Sequence, residues 1–398
     1  MPHSATFRVS NPYDVAIVGA GPSGAMTALH LARQAWRAVL IDRDRFPRDK
    51  VCGDGLIPDS LHVLERAGLL DRVRKAAFDV NALTVYGPSR GKVDLSGTFL
   101  TIKRFHLDHL LFSAAVENGS VPYQGRVSAV APDGPGVRID LHGASEPIRA
   151  RTAVLATGAD MGLFKTLQPP SRLHADATAL RCYVRSKTPL DRLVISFDRS
   201  ILPGYAWIFP LRENEFNIGC GVFRVGNVMP DVNLRDMFDV FATGFPLAKE
   251  IMEAAETVSP LRGAMLRCGL RGANPLIHER ILAVGETIGT TFPFTGEGIG
   301  KAMETGELAA SVLHEALQTD DFQRLRVYPE QIEDRLRPRY YGYSVAEKWL
   351  ASAFISDFMI ARARRSPYLR RIAADIIEEK VDPRAVFSVR GILKSMWR

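Results

Sequence analysis

The sequence predicts an α/β fold: a Rossmann-like dinucleotide-binding domain with an inserted antiparallel sheet and a helical C-terminal region. A glycine turn follows the apolar run 15–18 and precedes a helical segment, as in a nucleotide-binding βαβ unit. Residues 79–100 and 177–225 alternate apolar and polar side chains between turn formers, which indicates short antiparallel strands. The last part of the chain is helical and basic. A chain of 398 residues is long enough for more than one core.

The glycine motif GAGPSG predicts a phosphate-binding turn. Gly19 makes the tight turn, Gly21 lets the backbone approach a pyrophosphate, and Gly24 lets the helix pack closely on the strand. The second apolar strand, 38–41, ends at Asp42, whose carboxylate suits the hydroxyl groups of a ribose. We therefore expect a bound dinucleotide. A glycine turn in another kind of α/β protein is the alternative.

The predicted domains are interleaved along the chain, because a buried strand within 151–159, which ends in a glycine turn, and another at 281–286 return to the first sheet. The nucleotide-binding domain is assembled from three segments: residues 1–78, 101–176 and 266–322. The sheet domain, which would hold the substrate, is assembled from two segments: residues 79–100 and 177–265. The C-terminal helical region is residues 323–398.

The composition is ordinary for a globular protein, with 46% hydrophobic and 24% charged residues. No apolar run reaches the roughly 18 residues that a membrane-spanning helix needs. The first twelve residues lack the apolar core of a secretion signal, and the four cysteines form no CxxC pair. We therefore expect a cytoplasmic protein without a disulfide framework or a thiolate metal site.

The basic excess is concentrated at the C-terminus. Residues 335–398 carry 14 Lys or Arg against 6 Asp or Glu, whereas the whole chain has a net charge of +7. This distribution argues against a generally basic, nucleic-acid-binding surface and indicates one basic face. An apolar stripe precedes the arginines, and its members are Trp349, Leu350, Phe354, Ile355, Phe358 and Met359. The stripe either packs on the core or lies in the inner face of an anionic membrane, with Arg362, Arg364, Arg365, Arg370 and Arg371 beside it.

Two segments of the first half contain candidate functional residues. The polar loop 43–58 includes Cys52, which either contacts a cofactor ring or is a buried structural cysteine. Arg104 begins a helix and either meets phosphate or is solvated. His106 and His109 lie three residues apart on that helix, but no further ligand spacing accompanies them, so we expect ordinary surface or packing histidines and no metal.

Two segments of the second half add an aromatic face and a glycine loop. Tyr205, Trp207 and Phe209 alternate along one strand and therefore share a face. That face either walls a flat cofactor or apolar substrate, or belongs to the core. The loop 290–299 places glycines before a helix to about residue 313, whose N-terminus favours negative charge.

Five motifs together resemble the geranylgeranyl reductase family of FAD flavoproteins, whose fold is related to the aromatic hydroxylases. They are GAGPSG at 19–24, KVCGDGLIP at 50–58, RxxLD at 104–108, GYAWIFP at 204–210 and PFTGEGI at 293–299. The resemblance covers most of residues 13–320. It implies an FAD-dependent reductase of carbon–carbon double bonds in an isoprenoid or lipid-like substrate, with hydride from reduced flavin N5 and a proton from an acid.

The resemblance also implies a set of site residues. The cofactor-binding residues would be Gly19, Gly21, Ser23, Gly24, Asp42, Arg43, Arg104, Gly285, Glu286, Gly296, Gly298 and Ile299. The catalytic residues would be Cys52, near the ring, and Tyr205 and Trp207, in the wall of the apolar cavity. No second GxGxxG motif is present in the sequence, so NAD(P)H or a ferredoxin would donate electrons from outside.

Two departures from the wider flavoprotein pattern bear on these roles: the first shifts the expected contact with the ribityl chain, and the second counts against a hydroxylase. Glu286 replaces the aspartate of a Gly-Asp pair, and the turn Ala156-Thr157-Gly158 lacks the acid found in hydroxylases. A monooxygenase or halogenase is one alternative, although Phe209 stands where the halogenase Trp-x-Trp-x-Ile-Pro segment has its second tryptophan. A prenyl-protein escort, which binds a partner without flavin chemistry, is the other alternative.

Overall fold

The computed structural model describes residues 13–167, 175–224, 228–293, 295–350 and 352–383, without the side chains of 165–166 and 346–350. The strands, in chain order, are β1 (Tyr13–Val18), β2 (Ala38–Asp42), β3 (Gly55–Leu56), β4 (Phe78–Tyr86), β5 (Lys92–Thr101), β6 (Val121–Gln124), β7 (Val127–Asp133), β8 (Gly136–Leu141), β9 (Ile148–Leu155), β10 (Ala177–Ser186), β11 (Leu193–Ser196), β12 (Tyr205–Pro210), β13 (Glu215–Phe223), β14 (Ala255–Val258), β15 (Arg262–Leu266), β16 (Leu276–His278) and β17 (Ile281–Ala283).

The helices, in chain order, are α1 (Pro22–Arg33), α2 (Pro58–Arg66), α3 (Leu70–Ala76), α4 (Arg104–Glu117), α5 (Gly162–Leu167), α6 (Leu234–Gly244), α7 (Pro246–Glu253), α8 (Ile299–Thr319), α9 (Val327–Leu350), α10 (Ala353–Arg365) and α11 (Pro367–Ile377). Short 3-10 helices occupy Arg199–Ile201, Gly285–Ile288 and Phe322–Arg326.

The first sheet has the predicted Rossmann-like core. Its strand order is β16-β17-β9-β1-β2-β6, and β1 pairs in parallel with both β2 and β9. β7 and β8 extend it as an antiparallel ribbon beside β9. Helices α1 and α8 pack against each other at Gly306, where a Cβ atom would lie only 2.4 Å from the Ser23 carbonyl oxygen. This close crossing brings the N-termini of both helices to the carboxyl edge of the parallel strands.

The second sheet is the predicted mainly antiparallel one, in the order β14-β10-β13-β12-β11-β4-β5-β3, with β15 beside β10. The aromatic strand β12 lies in its middle, between β11 and β13. Helices α6 and α7, within 177–265, were not predicted from the sequence. They bury Phe238, Phe241 and Ile251 against the sheet, because β13 is buried on both faces and needs a second layer. The boundaries of the predicted domains stay a prediction.

Two element limits differ from the predicted ones. Helix α8 runs on to Thr319, beyond the expected end near residue 313. The strand expected through Glu286 ends at Ala283, because Gly285 has a φ of +66° and turns the backbone into a 3-10 helix.

The C-terminal helices close one side of the second sheet. Ala363 of α10 and Ala373 and Ile377 of α11 pack on the same cluster as Leu83 and Leu95. The predicted apolar stripe divides here: Phe354 and Phe358 are 81% and 42% exposed, whereas Met359 lines a cavity. The side chains of Trp349 and Leu350 lie outside the described part of the chain. None of the helices in the described ranges combines the length and the apolar character that crossing a membrane requires.

Candidate active site

A cavity of about 1270 Å³ lies between the two sheets and runs from the glycine turn to the C-terminal helices. At the glycine turn, Gly19 has a φ of +104°, and a Cβ atom there would lie 2.2 Å from the Ala156 carbonyl oxygen. A Cβ atom at Gly24 would lie 1.8 Å from the Gly19 carbonyl oxygen. Only glycine fits at these two positions, so the turn predicted from the sequence is fixed by steric contact.

Two arginines, the buried Arg104 and the partly buried Arg48, face the open side of this turn. A Cβ atom at Gly21 would lie 3.7 Å from Arg48 Nη2 and 4.0 Å from Arg104 Nη2. Both guanidinium groups share the Asp108 carboxylate, at 3.0 Å from Arg48 and 2.6 and 2.9 Å from Arg104. Arg48, which was not predicted from the sequence, stacks on Phe46 at 4.8 Å. Two positive charges and one negative charge at the start of α1 leave a net positive site suited to a diphosphate.

Asp42 lies at the end of β2, as predicted. Its two carboxylate oxygens accept hydrogen bonds from the backbone N–H groups of Ala20 at 2.8 Å and Asp44 at 2.9 Å. Arg43 is more than half exposed and pairs with Asp160 at 3.4 Å across the cavity mouth. The two predicted residues therefore line the same end of the cavity but differ in burial: Asp42 is held by the backbone, and Arg43 is a surface residue.

Two further glycine segments meet the cavity from the side of α8. At the first, Gly285 donates its N–H to Thr305 Oγ1 at 3.0 Å, and a Cβ atom on it would lie 2.5 Å from Ser23 Oγ. Glu286, beside it, accepts a hydrogen bond from the Arg267 N–H at 3.1 Å. The longer Glu286 side chain is therefore engaged with the backbone while it lines the cavity.

The second glycine segment leads directly into α8. Gly296 has a φ of +70°, and a Cβ atom there would lie 2.8 Å from the Tyr205 hydroxyl. Gly298 is the residue before the helix, and Ile299 is its first residue. The predicted loop thus brings the N-terminus of α8 to the cavity, next to the aromatic strand. Phe294 lies outside the described residues.

The aromatic face predicted for β12 lines the cavity. Tyr205 and Trp207 have ring centroids 5.8 Å apart, and Trp207 and Phe209 are 6.5 Å apart. Phe223 of β13, which was not predicted as part of this wall, stacks on Tyr205 at 5.8 Å. A Cβ atom at Gly53 would lie 3.5 Å from the Phe209 ring, so the loop containing Cys52 lies directly on this wall.

A buried hydrogen-bond network joins that loop to the wall. Asn217 accepts a hydrogen bond from Trp207 Nε1 at 2.9 Å and donates to the Cys52 carbonyl oxygen and to Asp54 Oδ2, both at 2.8 Å. Asp54 Oδ2 also accepts from the Tyr183 hydroxyl at 2.7 Å, and Asp54 Oδ1 accepts from the Arg104 N–H at 3.2 Å. The network fixes Cys52 and Trp207 with respect to each other.

Burial controls the protonation of this network. It raises the pKa of Asp54 to about 6, in spite of the hydrogen bonds from Tyr183 and Asn217 that favour the carboxylate. Burial also raises the pKa of the Cys52 thiol, with Arg104 opposing the shift. It likewise raises the pKa of Tyr205. Cys52 and Tyr205 therefore keep their protons at neutral pH.

Another part of the cavity is an aliphatic chamber. We define the chamber by Leu83, Val93, Leu95, Leu193, Ala363, Ala373 and Ile377, which line the cavity and belong to one apolar cluster. The sheet supplies four of these side chains and the C-terminal helices supply three. An apolar chain entering the chamber would contact only hydrocarbon from these seven residues.

His106 and His109 do not form part of this site. In the described part of the chain, His, Cys, Asp and Glu side chains do not assemble in groups of three that could hold a metal ion. The ring of His106 contacts Phe105 at the start of α4.

Comparisons with known proteins agree with this architecture. Residues 12–161 match an FAD binding domain. The menaquinone reductase of Mycobacterium tuberculosis is 30% identical over 370 residues, which cover 85% of this chain and 84% of that protein. A digeranylgeranylglycerophospholipid reductase of Methanosphaera stadtmanae is 23% identical and covers 96% and 98% of the two chains.

Two solved structures share the fold. A geranylgeranyl bacteriochlorophyll reductase-like protein of Thermoplasma acidophilum has a TM-score of 0.76 at 22% identity, covering 96% of this chain and 95% of that one. A flavin-dependent brominase has a TM-score of 0.76 at 18% identity, covering 97% and 99%. Fold and site define an FAD-dependent oxidoreductase. Within that class, the chain belongs to the geranylgeranyl reductase family.

The raised pKa of Asp54 has a measurable consequence for stability. The folded protein holds this proton more tightly than the unfolded chain, so the contribution of Asp54 to stability falls as the pH rises through about 6. Between about pH 5 and about pH 7.5, we expect this group alone to remove about 1 kcal/mol from the free energy of unfolding. Urea denaturation over this pH range should show that the free energy of unfolding falls with pH in wild type. The contribution of about 1 kcal/mol to this fall should be absent in Asp54→Asn.

Tyr183→Phe provides the matched comparison. It keeps the Asp54 carboxyl but removes one donor to it, so the pH-dependent fall in stability should move to higher pH. An equal pH slope in wild type and Asp54→Asn would show that Asp54 does not titrate in this range.

Proposed function

We propose that this protein saturates carbon–carbon double bonds of an isoprenoid or lipid-like substrate. One observation carries the proposal. A single cavity is lined at the glycine turn by residues suited to the diphosphate of a cofactor, and elsewhere by the aliphatic chamber. The aromatic wall of β12 lines the same cavity, so a substrate chain in the chamber could extend along the wall toward the cofactor. The relatives named as reductases of menaquinone and of a digeranylgeranyl phospholipid support this substrate class.

The residues at the glycine turn fit the FAD of the family. Arg48 and Arg104 would hold its diphosphate with Gly19–Gly24, and Asp42 would hold its ribose. Glu286 and Gly296–Ile299 would contact the flavin half. When bound and reduced, FAD supplies a hydride; the external donor of its electrons would be NAD(P)H or a ferredoxin.

The chain itself supplies a proton and orientation. Cys52, whose thiol stays protonated, lies in the loop that contacts the aromatic wall through Gly53, and it is the proposed acid at the substrate. Its S–H bond would break as a C–H bond forms on the carbon that does not receive the hydride. Tyr205 and Trp207 would hold the chain flat against the wall and exclude water.

The same fold in a brominase keeps a flavin monooxygenase or halogenase as the second candidate. Such an enzyme would consume oxygen and NAD(P)H with an aromatic substrate. Trp207-Ile208-Phe209-Pro210 argues against a halogenase, because Phe209 replaces the second tryptophan. A non-catalytic escort no longer applies, since the family is one of oxidoreductases.

The reductase proposal predicts the addition of two hydrogen atoms per reduced bond. In the absence of oxygen, dithionite-reduced, FAD-loaded protein should convert a panel of menaquinones and geranylgeranyl lipids to saturated products. Mass spectrometry measures these products. Cys52→Ala should lower kcat by about 10² or more while it keeps bound FAD. If fully reduced holoprotein left the whole panel unchanged but consumed oxygen with aromatic substrates, the monooxygenase alternative would replace this proposal.

Arg48 should contribute to cofactor affinity. Removing a charged contact to a diphosphate costs about 1.5 to 3 kcal/mol, so Arg48→Gln should weaken FAD binding by about tenfold to a hundredfold. Titration of apoprotein with FAD, followed by quenching of flavin fluorescence, measures this. Arg72→Gln is the control, because Arg72 forms an exposed pair with Glu117. Equal FAD affinities in the two variants would exclude a role for Arg48.

We also propose that α10 binds the inner face of an anionic membrane. Phe354 and Phe358 lie four residues apart and point outward, and Arg364, Arg365 and Arg371 are exposed nearby along α10 and α11. Apolar rings beside arginines suit the boundary of an anionic lipid layer. The opposite side of α10 lines the cavity that would receive a lipid chain.

Phe354→Ser with Phe358→Ser should lower binding to phosphatidylglycerol vesicles by about tenfold or more, because two large apolar side chains no longer enter the lipid. Vesicle sedimentation measures this, and high salt should weaken wild-type binding. Val240→Ser, which changes an exposed apolar residue of α6, should bind like wild type. Unchanged binding of the double variant would exclude this surface. These substitutions test the outer surface of α10 alone, whereas a C-terminal truncation would also remove helices that line the aliphatic chamber.

A further inference from the structure

Two carboxyl groups lie together at the start of α8, on the wall of the cavity. Glu297 lines the cavity, and Asp59 comes from the first turn of α2. The Ser60 hydroxyl lies 3.1 Å from Asp59 Oδ1 and 3.5 Å from Glu297 Oε1. Their other oxygens, Glu297 Oε2 and Asp59 Oδ2, are buried without a hydrogen-bond partner. Two buried, unsatisfied carboxyl oxygens in one cluster indicate that the pair holds a proton.

The surroundings decide which carboxyl group holds the proton. Asp59 sits directly on the N-terminus of α8: a Cβ atom at Gly300 would lie 2.3 Å from Asp59 Oδ2. The helix N-terminus and Lys301, 3.9 Å from Asp59 Oδ2, both favour a negative charge there. Burial, and next the negative charge of Asp59, raise the pKa of Glu297 well above its usual range. Glu297 is therefore the neutral acid.

The pair is connected to solvent by charged side chains. Lys301 Nζ, almost fully buried, lies 2.6 Å from Glu304 and 2.9 Å from Glu379, whose side chains are 22% and 25% exposed. Arg339 of α9 pairs with Glu379 at 3.1 Å, and the hydroxyl of the neighbouring Tyr340 donates to the Thr290 carbonyl oxygen. The polar cluster thus reaches from the cavity wall to the protein surface, under the loop that leads into α8.

We propose that Glu297 is the inner end of a proton route into the cavity, with Asp59 as its charged partner and Lys301 and Glu304 as the connection to solvent. The inference rests on the proposed reduction, which consumes one hydride and one proton per double bond. In each cycle the Glu297 O–H bond breaks, and its proton replaces the one that the Cys52 thiol gives to the new C–H bond. The resulting carboxylate pair then regains a proton from solvent.

Infrared spectroscopy of the FAD-loaded full chain tests the location of the proton without any substrate. At about pH 8, wild type should show the carbonyl stretch of a protonated, buried carboxylic acid, and Glu297→Gln should lose it. Asp59→Asn should keep the band only at lower pH, because the negative charge that raises the pKa of Glu297 is gone. Glu307→Gln, on the same helix but paired with Arg66, should match wild type. A band that survives in Glu297→Gln would overturn the proposal.

Turnover of the panel of menaquinones and geranylgeranyl lipids provides the second measurement. The FAD content of each variant checks that the variant is folded. Glu297→Gln should lower kcat by about tenfold or more with little change in KM, since proton supply and not binding is impaired. If Glu297→Gln had the same kcat as wild type at every pH, the proton route would be overturned even though the reduction itself is observed. A lack of turnover in wild type would instead count against the proposed reduction, and the infrared band would still decide where the proton lies.

Discussion

The buried carboxylate of Asp54 ties the two halves of the protein together. It accepts one hydrogen bond from the start of α4, which belongs to the nucleotide-binding side, and others from Tyr183 and Asn217 of the second sheet. A buried carboxylate is costly unless donors surround it, so loss of any donor would weaken the whole junction. Asp54 also has a φ of +64°, a conformation that aspartate tolerates better than most residues and that these hydrogen bonds hold.

This junction also sets the position of the Cys52 loop relative to the aromatic wall. The loop carrying Cys52 is held by Asn217, which also holds Trp207. Gly219 leaves the space for the indole, since a Cβ atom there would lie 2.2 Å from Trp207 Cζ2. One amide side chain thereby sets the spacing between a thiol and an aromatic wall that come from different parts of the chain. Rigid placement of this kind is what a reaction between a bound cofactor and an apolar chain requires.

How far the sequence predicts this site depends on the range of the interactions. Gly19 and Gly24 were predictable because their constraint lies within one turn, and the face shared by Tyr205 and Trp207 follows from strand geometry alone. Arg48 and Asn217 were not, since their partners lie 60 and more than 160 positions away and no local pattern marks them. The helices α6 and α7 were missed for a related reason: alternation in β13 does not reveal that both faces of the strand are covered.

The C-terminal region shows the same limit. Helical spacing identified an apolar stripe, but spacing alone does not say what each side chain meets. In the structure Met359 faces the cavity while Phe354 and Phe358, on the same helix, face outward. Apolar side chains on the outer side of a surface helix gain free energy when an apolar partner covers them. The inner partner is the aliphatic chamber. An outer partner of lipid would place the membrane and the chamber on opposite sides of one helix, so that only the thickness of α10 would separate the proposed lipid-like substrate from the chamber.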